Sequence, residues 1–290
     1  MLQDIEHSLA CPHCARPLVL HGRTLRCEAG HSFDQARQGY VSLLPGDAHT
    51  GTGDTAEMVA ARADFLAAGH YRPIADALAD AAGDADAAGE AGPGTGLVAD
   101  LGAGTGYYLA HVLDRLDGAA AAGRPAPVGA ALDISKYALR RAAKAHPRIG
   151  AVVCDAWRPL PLLDGSADLV LNVFAPRNGP ELRRVLRPGG RLLVVSPTSR
   201  HLRELVAALG LLSVDEDKER RIDEKLGPWF DRAARTEVEF RLRLSHADAA
   251  AVVGMGPSAW HTDRERLAGA LAALPEPVEV TGSVLVSTYR

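Results

Sequence analysis

Residues 100–106 read Asp-Leu-Gly-Ala-Gly-Thr-Gly, and this stretch restricts the chain to very few architectures. An apolar run, Leu97-Val98-Ala99, precedes it, and Tyr108, Leu109, Val112, Leu113 and Leu116 follow at helical spacing. The glycines therefore sit on a strand–loop–helix turn. There they allow positive φ and let backbone N–H groups approach a ligand closely at a helix N-terminus. The spacing is Gly-x-Gly-x-Gly, not the Gly-x-Gly-x-x-Gly of dinucleotide binders. Asp100, Gly102, Gly104 and Gly106 thus mark a cofactor loop, with Thr105 adding a hydroxyl. A glycine-rich turn that binds nothing is the competing account.

From Leu97 onward, strands are expected at 97–101, 128–132, 150–154, 167–173 and 190–196. Helices are expected at 106–117, 135–145, 179–186 and 201–210. Such alternation builds a parallel sheet covered on both faces. The tail changes period: Val238, Phe240, Leu242 and Leu244, then Val280, Val284 and Val286, point to an antiparallel pair at the sheet edge. A helix near 263–274 separates them. The expected fold is α/β, a Rossmann-like, mostly parallel seven-stranded sheet. Its ligand belongs beyond the carboxyl ends of the strands. Asp133 ends the second strand, where a carboxylate accepts ribose hydroxyls while Ser135 caps the helix. Asp155 ends the third, placed to meet an adenine amino group, and Trp157 either covers that ring or packs. At the end of the fourth, Asn172-Val-Phe-Ala-Pro176, Asn172 and Phe174 either face a flat substrate or belong to a turn stabilised by Pro176.

Three of the four cysteines fall within residues 11–27. Cys11-Pro-His-Cys14 and Cys27-Glu-Ala-Gly-His31 form two knuckles, and three thiolates with one imidazole suit tetrahedral zinc. Leu18, Val19, Leu20 and Leu25 supply short strands between them, a zinc-ribbon layout. A redox Cys-x-x-Cys would leave Cys27 and His31 unexplained. All four ligands are protein groups, so the site is structural, and zinc binding of roughly 10–16 kcal/mol would supply much of the unit's stability. Cys154 stands apart as a small buried hydrophobe. The chain divides into a zinc ribbon (1–45), a linker and helical connector (46–96) and the sheet domain (97–290). The connector carries helices over 57–68 and 71–82, and the Ala-Gly stretches 81–96 and 118–127 read as exposed connections. A net charge of −4 argues against a surface coated in nucleic-acid contacts. Arginines still cluster at 140–148 and 177–191, either on solvated helix faces or against RNA. No run has the length of a membrane span, no signal peptide is seen, and the cysteines suit a reducing compartment. The expected location is cytoplasmic.

The glycine loop with its leading acid resembles that of the Rossmann-type S-adenosylmethionine-dependent methyltransferases. Further marks run the length of the chain: Cys-Pro-His-Cys (11–14), Gln-Gly-Tyr-Val-Ser-Leu-Leu (38–44), Glu-Met (57–58) with Ala-Arg (61–62), and Ala-Gly-His-Tyr (68–71). They continue with Leu-Asp-Ile-Ser-Lys (132–136), Phe-Ala-Pro (174–176), Arg-Pro-Gly-Gly (187–190), Arg-His-Leu (200–202) and Met-Gly-Pro-Ser-Ala-Trp (255–260). In that order they resemble the 23S ribosomal RNA (guanine-N1-)-methyltransferases. Asn172–Asn178 and the Met-Gly-Pro-Ser-x-Trp segment look most like the macrolide-resistance branch. That branch methylates guanine 748 and is associated with tylosin and mycinamicin; its sister branch modifies guanine 745. The resemblance implies a class I methyltransferase fold, S-adenosylmethionine as cofactor, one structural Zn2+, a 23S rRNA hairpin as partner and a homodimer. It also implies that Tyr71 and His201 contact the cofactor, which spacing alone does not indicate. Residues alone leave two other functions open: a natural-product methyltransferase with a protein-docking ribbon, and a zinc-ribbon adaptor. No general base is assignable, with Asp155, Asn172 and a water all open.

Overall fold

A computed structural model of the chain describes residues 1–47, 53–87, 96–119, 126–211, 217–256 and 264–290. The N-terminal unit opens with one helical turn, α1 (Leu2–Ile5). Three short strands follow, β1 (Val19–His21), β2 (Thr24–Arg26) and β3 (Ser32–Asp34), paired antiparallel in the order β1-β2-β3. Then β4 (Tyr40–Ser42) leaves this small sheet. The connector helices are α2 (Ala56–Ala67) and α3 (Arg72–Ala87), so residues 81–87 extend a helix rather than a loop. Residues 88–95 of that Ala-Gly stretch, and 120–125 of the other, lie outside the described residues.

The large sheet begins with β5 (Leu97–Leu101), α4 (Tyr107–Ala119), β6 (Val128–Asp133), α5 (Lys136–Ala145) and β7 (Ile149–Val153). It continues with β8 (Ala167–Val173), α6 (Gly179–Val185), β9 (Leu186–Pro197), α7 (Arg203–Leu209) and α8 (Lys218–Leu226). It closes with β10 (Arg232–Leu244), α9 (His246–Gly254), α10 (Arg264–Ala272) and β11 (Val278–Tyr289). Strand order is β10-β11-β9-β8-β5-β6-β7-β4. Only β11 runs against its neighbours, on both sides. The order reverses beside β5, which places a crevice over its glycine loop.

The seven expected strands are all present, and an eighth joins them. β4 pairs in parallel with β7, Val41 opposite Val152, and Val41 is fully buried. Three residues are too few to show a period, so the sequence pattern did not reveal this strand. Alternation along β5 splits the core between two faces. Val98 joins one apolar cluster with Phe65, Ile74, Leu109 and Leu139 of the helical connector, α4 and α5. Leu97, Ala99 and Leu101 join another with Leu182 of α6, Ile222 of α8 and Leu2, Ile5, Leu9, Leu18 and Leu25 of the N-terminal unit. The ribbon is too small to bury a core alone, so it shares the sheet's. Leu9 and Leu162 form a bridge that ties it down further.

Candidate active site and metal centre

The loop between β5 and α4 turns sharply because Gly102 and Gly106 hold φ of +78° and +79°. A Cβ on Gly102 would land on Ala175 Cβ, and one on Gly106 would sit 3.0 Å from Ala142 Cα. Close packing as well as backbone freedom therefore demands glycine at both positions. The loop is braced from below. Asp133, at the end of β6, accepts from the Gly104 N–H (2.8 Å) and, through its other oxygen, from the Ser135 N–H (2.8 Å). Ser135 does cap α5, its hydroxyl accepting from Ala138 N–H at 3.3 Å. Both Asp133 oxygens keep lone pairs for further donors.

Over the loop lies a cavity of about 990 Å³. That is the upper end of the usual range for small-ligand sites, with room for a nucleoside-sized cofactor and a second flat group. Tyr71, Gly102, Gly104, Thr105, Asp133, Asp155 and His201 all line it. Asp100 and Gly106 do not. Gly106 packs on α5, and Asp100 lies buried beneath the loop with Oδ1 unpartnered among the described residues. Burial, with the Asp133 charge nearby, pushes the Asp100 carboxyl up to about 8. Asp155, at the end of β7, accepts from Trp157 N–H at 2.9 Å and lies 3.7 Å from Arg158. Trp157 lines the cavity and is exposed.

Tyr71 and His201 meet across the cavity floor, with Oη 3.0 Å from Nε2. His201 Nδ1 accepts from the Ser283 N–H at 3.1 Å, so the neutral ring carries its proton on Nε2 and donates to Tyr71. The Tyr71 hydroxyl proton is then free for another acceptor. Burial first, and the Lys218 charge second, pull His201 down to about 4, so the ring is neutral at pH 7. Phe174 holds φ of +53°, is 40% exposed, and its ring centroid lies 6.3 Å from Tyr71 and 6.0 Å from His201. Asn172 is fully buried and donates to Pro176 O at 2.7 Å, so it braces the 172–176 turn.

Several lining residues have no individual role assigned by the sequence. Arg62 reaches over Gly104, pairs with Asp54 at 2.7 Å and donates to Met255 O at 2.8 Å. Arg177, which follows β8, lines the cavity on the side away from the acids at the ends of β6 and β7, and Lys218 and Arg221 of α8 line it too. Three other arginines of the 177–191 cluster serve the fold. Arg184 holds Glu181 and Asp164, Arg187 holds Asp168, and Arg191 donates to Ala81 O and Ala82 O.

The second site lies in the ribbon. Ligand atoms of Cys11, Cys14, Cys27 and His31 all fall within 4.8 Å of one another. Cys14 Sγ is 3.7 Å from Cys27 Sγ, and His31 Nδ1 lies 3.5 and 3.4 Å from the sulfurs of Cys11 and Cys27. A tetrahedron with Zn–S bonds of about 2.3 Å has edges of about 3.8 Å, so this donor set fits one zinc ion. His13 stands outside the set, its ring 5.0 Å from His31 and stacked 5.8 Å from Phe33.

Comparison with known proteins agrees with this anatomy. Residues 9–50 match the zinc-ribbon family described as RlmA, N-terminal, and 98–190 match a methyltransferase domain. A 23S rRNA (guanine(748)-N(1))-methyltransferase from Streptomyces fradiae is 50% identical over 290 residues, covering 100% of this chain and 99% of that protein. A Micromonospora griseorubida protein named for the same (guanine-N(1)-) activity is 53% identical over 302 residues, covering 100% and 99%. The chain belongs to the 23S rRNA (guanine-N1-)-methyltransferase family. A third member, from Bacillus subtilis, is 34% identical over 209 residues, covering 71% of this chain and 70% of that one. As in the family, a class I S-adenosylmethionine-dependent methyltransferase fold is joined to a zinc ribbon. Of the Met-Gly-Pro-Ser-Ala-Trp motif, residues 257–260 lie outside the described residues.

Proposed function

We propose that this chain methylates N1 of guanine 748 of 23S rRNA, in a hairpin loop, and thereby confers resistance to macrolides of the tylosin and mycinamicin type. The observation that carries this reading is full-length, 50% identity to the Streptomyces fradiae protein named for that nucleotide. Guanine 745 is the alternative position. S-adenosylmethionine supplies a methyl group activated on a sulfonium. Gly102, Gly104 and Thr105 cradle it, Asp133 takes the ribose hydroxyls, Asp155 takes the adenine amino group, and Tyr71 offers its hydroxyl at the far end. Asp100 and Gly106 shape the loop from below, and His201 orients Tyr71. Cys11, Cys14, Cys27 and His31 hold zinc and so keep the ribbon folded.

Stacking in a duplex hides guanine N1, so the target base must be splayed into the cavity from a loop. Phe174, exposed at the rim, offers it a ring face. The ribbon and the sheet domain form two walls for the hairpin, where phosphate contacts set position. Work on ribosomal RNA puts the protein in the cytoplasm, and no helix among the described residues is long and apolar enough to cross a membrane. Family likeness also favours a homodimer, which sedimentation would reveal. The deciding experiment is primer extension on 23S rRNA from cells with and without the gene, paired with tylosin susceptibility. A new stop at guanine 748 and raised tolerance are expected. A stop at 745 would move the target, and methyl label entering metabolites instead of RNA would end the reading.

A further inference from the structure

Arg177 is set apart from the other arginines near the cavity. It follows Phe174-Ala175-Pro176 on the segment between β8 and α6 and lines the same cavity as the glycine loop. Arg62, in that cavity, holds Asp54, and Arg184 and Arg187 hold carboxylates on the fold. Arg177 makes no ion pair or hydrogen bond among the described residues, and its Nε is buried without an acceptor. Burial lowers its pKa, the opposite of what a carboxylate partner would do, and the ionisable group that bears on it is the Tyr289 phenol. That phenol is committed to Asp223, 2.8 Å away. Lys218 and Arg221 line the same cavity. A half-buried guanidinium with no countercharge carries a desolvation cost that an acceptor on a bound ligand would offset.

We propose that Arg177 is a catalytic residue that donates hydrogen bonds to O6 of the target guanine, holding the negative charge that builds there as N1 loses its proton. The inference rests on guanine N1 being the methyl acceptor. Deprotonating N1 spreads its charge onto O6, and a guanidinium fork suits the O6/N7 edge of guanine. The acids at the ends of β6 and β7 would serve the cofactor side, while the β8–β9 side presents Phe174 to the base plane and Arg177 to its edge. In the step itself, water takes the N1 proton, and the N1 electron pair forms the new N–C bond. The C–S bond breaks with its pair returning to sulfur, so sulfonium and base anion both end neutral.

The test uses the full chain with Arg177→Gln and Arg177→Lys, an RNA hairpin containing the target loop, and single-turnover methyl transfer from neutral to alkaline pH. Affinities for RNA and S-adenosylmethionine, and melting temperature, are measured alongside. Arg177→Gln should slow transfer by about 10²–10³-fold at neutral pH, the usual effect of losing a donor to developing charge. That deficit should shrink as pH rises and N1 ionises unaided, with both affinities unchanged. Arg177→Lys should fall between, and neither variant should melt earlier, since the lost charge has no partner. A wild-type rate, or a deficit equal at every pH, overturns the inference. So does a loss confined to RNA affinity, as from a phosphate anchor, or to S-adenosylmethionine affinity, as from a carboxylate clamp. If the wild-type protein itself puts no methyl on guanine N1, the functional reading falls, and this inference with it.

Discussion

Asp100 is the residue most at odds with its surroundings. Its carboxyl is buried and pushed up to about 8, whereas an aspartate in the unfolded chain ionises near 4. Between those values the folded chain binds the extra proton, so its stability falls as pH rises through the window. Asp100→Asn stays neutral throughout. Its unfolding free energy should therefore gain on wild type from about pH 4 to about pH 8, by up to about 1.4 kcal/mol per pH unit, and then level off, a trend read from melting temperatures across the pH series. A gap that stays flat across that range would disprove the argument. Gly102 supplies a second test. Gly102→Ala meets both a left-handed backbone and the Ala175 methyl, and should cost about 1–3 kcal/mol with loss of S-adenosylmethionine binding. Thermal melts and cofactor titration read both effects. Seven of the nine cofactor residues expected from motif and resemblance do line one cavity. The sequence marks Arg177 only as one member of the 177–191 cluster; the absence of a carboxylate beside it, visible in three dimensions, separates it from Arg184 and Arg187.

Among the elements, the long periodic ones were legible, because hydrophobic alternation and helical spacing survive without tertiary help. β8 spans 167–173 as expected, and β5 spans 97–101. Those decided by packing were not. α9 is an alanine-rich stretch with little amphipathic contrast, whose buried Ala249, Val252 and Val253 sit in an unbroken apolar run that shows no clear period, although the Ser245–Asp248 capping box marks its start. α8 is a charged surface helix whose Ile222 and Leu226 alone reach the core. β4 became a strand because β7 offered an open edge. That edge makes a prediction about metal. The ribbon shares its apolar cluster with the sheet, and β4 hydrogen-bonds to the strand that ends beside Asp155. Stripping zinc, or Cys11→Ser, should lower the melting temperature of the whole protein in a single calorimetric transition. Two separate transitions would show the ribbon melting on its own.

Across the whole molecule, the RNA wall proposed for the ribbon depends on which of its cations remain available. Arg23 is committed to Gln35 O and Ala36 O within the ribbon, and Arg16 has only an exposed contact with Glu28 at 3.5 Å. Replacing Arg16, Arg26 and Arg37 together by alanine should weaken RNA binding and flatten its dependence on log salt by about 2–3, while cofactor affinity holds. Filter binding over a salt series measures this, and an unaltered slope would place the phosphate contacts elsewhere. The metal-bearing head is also fastened at two points: α1 packs on β6 and β7, and β4 lies in the sheet. Residues 35–39 are all that separate β3 from β4, too few for a swivel. A head seated so firmly works as a ruler. On the proposed reading, the span from an RNA stem held by the ribbon to the glycine loop would be fixed, and reach would limit which loop positions enter the cavity before Arg177 meets the base.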